Sequence, residues 1–437
     1  MLGRSPESSA SFRNSDCFRK YFRKNMTPGW VASRAGFCHH RRTAMATADV
    51  VVVGGGANGT STAFHLTRLG VRNVVLLERH WLAAGATGKS GSLVRMHYTN
   101  EHESRLAFES LKVFQGFHAE VGGDCGFEPV GFVQLVGRSY ADQLRRNVAM
   151  QQRIGIKTEL VSPEDLPRLL PGVTMDDVGG AAWEPESGYA DPNATAFAFA
   201  AAAARAGARI ETGREVTRVV VEGGRVVAVE TQGGRIATPV VVLVPGAWAR
   251  PLLEPLGLDF GLLPYRVQIA IFRWPPGMAR GHPVVIDAVH KSWMRPEGSA
   301  GTLIGVELGA GHADPDRYNE SVDPEYVAHC RERLSARFPA FASATMRGGW
   351  AGMIMMSPDG RPIIDRIRSI DGLYVMLGDS GTSFKTSPAI GRCLAEWIVE
   401  GRSHTVDLTP FRATRFAEGQ PWIDESNYGR ERLTISR

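Results

Sequence analysis

Val50-Val51-Val52-Val53-Gly54-Gly55-Gly56-Ala57-Asn58-Gly59-Thr60 is the stretch on which the reading of this chain turns. Asp49–Val53 is an apolar run of the kind that makes a short, buried strand. Gly54 to Gly59 carries the spacing G-x-G-x-x-G. Gly54 permits a sharp turn, Gly56 lets the backbone approach a pyrophosphate, and Gly59 allows a helix to pack closely on the strand. Thr60–Leu69 reads as that helix, with Ala63, Leu66 and Leu69 on one face. Its start turns N–H groups and the positive end of the dipole toward the phosphates. Gly70 ends it, Val74–Leu77 forms the next strand, and Glu78 stands where an acid can take a ribose hydroxyl. Strand, turn, helix, strand and acid in that order predict a βαβ dinucleotide site. The fingerprint alone does not separate FAD from NAD.

Outward from this unit, Glu101–Val121 reads as helical, Gly131–Val136 as a strand and Ala141–Ile154 as a helix. Asp191–Ala206 is an Ala-rich helix with Asp191 as cap and Pro192 at its first position. Arg209–Thr212, Val216–Glu222, Arg225–Thr231 and Arg235–Val244, separated in part by Gly223-Gly224 and Gly233-Gly234, read as a β-meander. Pro324–Arg337 is a predicted helix, Gly372–Leu377 a strand and Ser387–Val399 a helix. The Gly-rich fold is thus completed near the C-terminus, with a second domain inserted, and there are no internal repeats.

The chain has 437 residues, enough for two intertwined domains. Apolar residues make up 43% and charged residues 22%, an ordinary soluble balance. No apolar run approaches the ~20 residues of a membrane span. The net charge of +5 is unevenly held. Residues 1–44 carry nine Lys/Arg against Glu7 and Asp16, a net of +7, so the rest of the chain nets −2. A nucleic-acid role for the body therefore has no support. The extension reads either as a transit-like leader or as sequence upstream of a start at Met45. The compartment is then cytoplasmic, or mitochondrial if residues 1–44 are a transit peptide. Cys17, Cys38, Cys125, Cys330 and Cys393 form no C-x-x-C pair, so a disulfide framework or zinc site is not expected. No Ser/His/Asp or metal-ligand spacing stands out.

Gly85-Ala86-Thr87-Gly88-Lys89-Ser90-Gly91-Ser92-Leu93-Val94-Arg95, Pro245-Gly246-Ala247-Trp248-Ala249 and the segment from Leu377 to Gly391 extend the argument. Together with the fingerprint they resemble the D-amino-acid oxidase-like FAD oxidoreductases, nearest to the sarcosine oxidase branch and its beta-subunit type. The resemblance runs from about Asp49 to Phe416. It implies FAD rather than NAD, held by Gly54, Gly56, Gly59 and Glu78 on the ADP half. It implies Ser90 and Gly91 beside the pyrophosphate or ring, and Val216 at the adenine side. Gly246 and Trp248 would lie near the ribityl chain, and Gly381, Thr382, Phe384 and Lys385 along the flavin. It also implies that Arg95 and Lys385 grip a substrate carboxylate, one as a bidentate guanidinium and one as a point charge.

The resemblance has departures. Gly352 stands at the position of the Cys that tethers flavin in monomeric sarcosine oxidases, and Lys89 at that of a tethering His in dehydrogenase relatives, so non-covalent FAD is expected. Leu303 replaces a Lys that assists oxygen reduction; Glu307 and Ile354 replace a pocket His and Tyr. The implied architecture is α/β, α+β overall: a Rossmann-like FAD-binding domain (45–130, 191–250 with the meander, and 351–420) and an inserted mixed-sheet substrate domain (131–190 and 251–350). Residues 1–44 are an extension and 421–437 a tail. The implied activity is oxidation of the C–N bond of an amino acid or N-methyl amino acid to an imine. Electrons pass to oxygen or another acceptor, in a dehydrogenase subunit to a partner protein or quinone; a third alternative is a non-catalytic flavin-binding subunit. His97 and Tyr98 either enter the pocket or pack; Trp350, Met353, Met355 and Met356 form core or pocket wall. Ser357-Pro358-Asp359-Gly360 is a turn, and Asp365 ends a strand.

Overall fold

In the computed structural model, residues 46–276, 281–307, 311–424 and 426–428 are described. The expectations for residues 1–44 lie outside them.

The fingerprint strand Val50–Val53 lies inside a six-stranded sheet. The order across that sheet is Ile363–Arg366, Leu373–Leu377, Val241–Leu243, Val50–Val53, Val74–Glu78 and Arg209–Thr212. Neighbours are parallel except the Ile363–Arg366 edge, which is antiparallel. Val50–Val53, Val241–Leu243 and Leu373–Leu377 are buried throughout, as unbroken apolar runs are when both faces are covered, here by helices on one side and the meander on the other. The fingerprint helix, Ala57–Arg68, packs against Ser387–Glu400 and Pro192–Arg205. A Cβ on Gly391 would fall 2.3 Å from Ser61 Oγ, so glycine there sets how closely two of these helices approach.

The meander is smaller than expected. Only Val216–Glu222, Arg225–Thr231 and Gly234–Ala237 form it, with Ala46–Thr47 running parallel to the last strand. Arg209–Thr212 instead edges the parallel sheet, delivered there by the helix Pro192–Arg205. The run Arg235–Val244 is cut at Pro239, which cannot donate to a ladder, and its second half becomes a central parallel strand. The expected helix Glu101–Val121 likewise breaks: it runs Glu101–Gln115, stops at Gly116 and resumes as Phe117–Glu120. The Ala-rich helix is as read, its Asp191 carboxylate accepting from Asn193 and Ala194 N–H.

A nine-stranded mixed sheet draws its strands from Phe132–Glu184 and Leu263–Met356. Its longest pair is Leu263–Arg273 with Met346–Met356, and the helix Pro324–Arg337 packs on it. Buried Arg337, bonded to Asp287 at 2.7 Å and Asp177 at 2.8 Å, ties that helix to the sheet. Among the described residues no helix is long and apolar enough to cross a membrane. Cys125, Cys330 and Cys393 are buried free thiols.

Candidate active site

The βαβ turn is built by contacts that only glycine permits. Gly54 has φ +118°, and a Cβ on it would sit 2.4 Å from the Val244 carbonyl oxygen. A Cβ on Gly59 would fall 1.9 Å from the Gly54 carbonyl oxygen, so the helix could not lie where it does. Glu78 braces the loop: one carboxylate oxygen accepts from Gly55 N–H at 2.7 Å and the other from His80 N–H at 2.8 Å. The helix start has no side-chain cap on Gly56, and Thr87 Oγ1 accepts from Ala57 N–H at 3.0 Å. Asn58 donates to Ser383 Oγ at 3.0 Å, while its own Oδ1 is buried without a partner.

These elements open onto a cleft of about 480 Å³. Gly54, Gly56, Glu78, Ser90, Gly91, Val216, Gly246, Trp248, Gly381 and Phe384 all line it; Gly59 lies behind, at the helix–strand contact. A cleft of this size is in the range that encloses a cofactor. Gly56 puts no side chain in front of the helix start, whose N–H groups and positive dipole end suit a phosphate-bearing dinucleotide, so the residues fit FAD.

Arg95, Thr382 and Lys385 do not line the cleft. They line a smaller chamber of about 70 Å³, which shares Ser90, Gly91, Trp293, Gly381 and Phe384 with it. Here the two cations, distant in sequence, meet over one ring. Arg95 Cζ lies 4.7 Å and Lys385 Nζ 5.1 Å from the centroid of Tyr98. The Thr382 carbonyl oxygen accepts from Tyr98 O–H at 3.2 Å and from Lys385 Nζ at 3.0 Å, joining the two segments. Arg95 Nη1 donates to the His97 carbonyl, and its Nε is buried without a partner.

The electrostatics are strained in one direction. Burial holds Lys385 well below the usual lysine range, and the neighbouring Arg95 pushes it further. Burial also lowers Arg95. The same burial raises the Glu184 carboxyl to about 7, though it accepts from Met96 N–H and Ser187 O–H. Neither cation has a carboxylate hydrogen-bonded to it among the described residues. Two buried cations side by side without a carboxylate partner are costly unless an anion supplies the opposite charge.

Ser92, a chamber residue, and Ser380 both have φ +51°, a conformation that costs L-residues roughly 1–2 kcal/mol. Strain of this kind gathers where surrounding packing over-determines a functional geometry.

Gly352 and Lys89 face each other across the cleft wall: a Cβ on Gly352 would meet Lys89 Cβ at 3.1 Å. Glu307 and Ile354 line the cleft, whereas Leu303 is fully buried and lines neither cavity. His97 and Tyr98 are packed and line neither cavity, but Tyr98 supplies the face on which both cations rest. Met353 and Met355 are cleft wall; Met356 is buried outside it. Asp365 is the penultimate residue of its strand and accepts from Ala413 N–H at 2.8 Å.

Sequence reasoning missed Trp293. Its ring stands between Gly91 and Gly305, where added Cβ atoms would come within 2.2 Å and 2.4 Å, and it walls both cavities. Asp316 was also missed; it takes Trp248 Nε1–H at 2.8 Å and Arg79 at 2.9 Å at the cleft rim. Neither has a local signal, because Trp293 reaches the site through the sheet and Asp316 through the loop after Gly311–His312 rather than through a motif.

The family model for FAD dependent oxidoreductases of the DAO type matches residues 49–397. The chain belongs to this family. It is similar to the sarcosine oxidase subunit beta of Arthrobacter sp., 29% identical with 86% of this chain and 93% of that one covered. The corresponding subunit of Rhodobacter capsulatus is 27% identical, with 86% and 90% covered. Among solved structures, the L-proline dehydrogenase from P. horikoshii superposes with a TM-score of 0.79 at 26% identity, covering 87% of this chain and all of that one. This oxidoreductase therefore uses FAD.

Proposed function

We propose that this flavoprotein oxidises the C–N bond of an amino acid or N-methyl amino acid. The observation that carries this is the convergence of Arg95 and Lys385 on the Tyr98 ring in a chamber contiguous with the FAD cleft. A carboxylate between them would neutralise both buried cations and satisfy Arg95 Nε. Its amine end then projects past Gly381 and Phe384 toward the cleft, where both cavities share a wall. FAD, when bound, supplies the two-electron acceptor for the C–H bond next to nitrogen. The chain's own work is to fix the carboxylate, orient that C–H bond and exclude water with Trp293, Ile286 and Leu93. The nitrogen gives up its proton, and the released imine hydrolyses in water.

In this reading residues 45–130, 191–250 and 351–420 hold the cofactor, and 131–190 with 251–350 build the substrate side. FAD is non-covalent, since Gly352 has no side chain to attach and Lys89 is engaged with Tyr318 and Glu320. A second reading concerns the acceptor. The similar beta subunits are parts of named multi-subunit enzymes, and one structural neighbour is a dehydrogenase, which supports electron delivery to a partner protein or quinone.

The test is anaerobic. Holoenzyme is mixed with a panel of amino acids and N-methyl amino acids, and flavin bleaching is followed by admission of air. Bleaching by a carboxylate-bearing amine that is weakened in Arg95→Ala and Lys385→Ala supports the proposal. Bleaching only by amines without a carboxylate, or equal bleaching in both variants, overturns it. Rapid peroxide release on reoxidation favours oxygen as acceptor; slow reoxidation favours a partner.

A further inference from the structure

Arg95 does not hold its own position. Its guanidinium lies over Tyr98 and 5.8 Å from the Phe132 ring, and its Nη1 donates to the His97 carbonyl. The segment Met96–Thr99 is therefore the bed on which the cation rests. That bed is fastened at each residue. Met96 N–H donates to Glu184 at 2.9 Å, and the Tyr98 carbonyl accepts from Gln151 at 3.0 Å. The other two fasteners come from the far end of the chain. His97 Nε2 shares a hydrogen bond of 2.7 Å with Tyr428 Oη, the rings stacked 5.8 Å apart at 19°. Thr99 Oγ1 donates to the Asp424 carboxylate.

This tail is itself built in. Asp424 pairs with Arg361, which also pairs with Glu103, in a cluster whose members are all nearly inaccessible. Trp422 N–H donates to Asp359 at 2.9 Å, and Asn147 donates to both Tyr428 Oη at 2.8 Å and the Ser426 carbonyl at 2.9 Å. Tyr428 thus holds the His97 ring through Nε2, with Gln151 also beside that ring.

From this juxtaposition we infer that Tyr428 and Asp424 are positioning residues for the carboxylate site: the C-terminal tail clamps the His97–Thr99 backbone and so fixes the direction of Arg95. The inference rests on the reading of Arg95 and Lys385 as the anion grip. None of the described tail residues lines either cavity; the tail acts through His97 and Thr99. Loosening it widens the range of Arg95 orientations and weakens anion binding while leaving the FAD cleft intact.

The probe is acetate, titrated against the flavin absorbance of the full-length holoenzyme. Tyr428→Phe keeps the stacked ring and removes the hydroxyl; it is expected to raise the acetate Kd by about 3- to 10-fold, the scale of one buried hydrogen bond. FAD occupancy stays that of the unaltered protein, which a general loss of structure would not allow. Asp424→Asn is the second variant, with the same expected direction. Arg95→Ala is the control. An unchanged acetate Kd in Tyr428→Phe, with Arg95→Ala abolishing binding, overturns the tail's role and leaves the carboxylate grip standing. An unchanged Kd in Arg95→Ala overturns both.

Discussion

The flavin cleft and the cationic chamber share a wall, yet they are made in opposite ways. The cleft is shaped by backbone: Gly54, Gly56 and Gly59 succeed through the Cβ atoms they lack, and all come from one turn. The chamber is shaped by side chains: Arg95, Tyr98 and Lys385 arrive from separate segments and matter through charge and ring face. A backbone site should therefore be broken by adding a methyl group, and a side-chain site by removing a charge. Each change should leave the other site working.

The largest effect is expected at the turn. Gly59→Ala places a Cβ 1.9 Å from the Gly54 carbonyl oxygen, and that oxygen belongs to the backbone of the turn, so it cannot swing away as a side chain could. Overpacking of this kind costs about 1–3 kcal/mol, and it falls where the helix meets the phosphates, so FAD affinity should drop roughly 100-fold. Flavin fluorescence quenching on the apoprotein measures it. Normal affinity would mean that the cradle is not set by backbone approach.

Next comes the charge. Arg95→Ala should lower kcat/KM for the bleaching amino acid by about 10- to 100-fold, the scale of one charge-assisted hydrogen bond pair. FAD content should be unchanged, because Arg95 lines only the chamber. A variant that lost flavin instead would erase the distinction between the two sites.

A third experiment uses pH. Lys385 is held below the usual lysine range by burial and by Arg95, so its ammonium survives only below that depressed value. In the proposed grip, carboxylate binding needs the ammonium. Acetate affinity should be constant at lower pH and then fall by up to about tenfold per pH unit as pH rises through the Lys385 pKa. Lys385→Met should bind weakly with no such break. The linkage has a definite sign for stability as well. Between the depressed folded value and the ordinary lysine value the unfolded chain binds more protons, so stability rises with pH in that window. Lys385→Met removes that slope in urea titrations.

What could be read beforehand follows the same division. The glycine turn, its helix and Glu78 are local, so spacing alone located them, and the cleft residues from Ser90 to Phe384 followed from motif resemblance. Arg209–Thr212 and Val241–Leu243 were misread because a short apolar run has no mark that tells a meander strand from a parallel one; the partner strand decides, and it is far away in sequence. Trp293, Asp316 and Tyr428 were invisible for that reason too. Their roles arise where the large sheet, the loop following Gly311–His312 and the tail come to rest. Arg95 and Lys385 were found as residues; that Tyr98 serves as their common floor needed the fold.

The smallest effect is expected where the two halves touch at the cleft rim. Without a covalent tether, retention of FAD depends on what closes over it. Asp316 reaches from the substrate side to Arg79 and Trp248 Nε1, and Arg79 Cζ lies 5.1 Å from the Trp248 ring centroid. These groups are partly exposed, so the ion pair is worth only about 0–1 kcal/mol and salt screens it. Asp316→Asn keeps an acceptor for Trp248 and removes the charge. FAD release, followed as rising flavin fluorescence on dilution, should quicken about two- to fivefold at low ionic strength. In about 1 M salt, where the Debye length is near 3 Å, the two proteins should converge. Equal rates at every salt concentration would show that the rim pair does not hold the cofactor, leaving retention to the glycine turn and Glu78 alone.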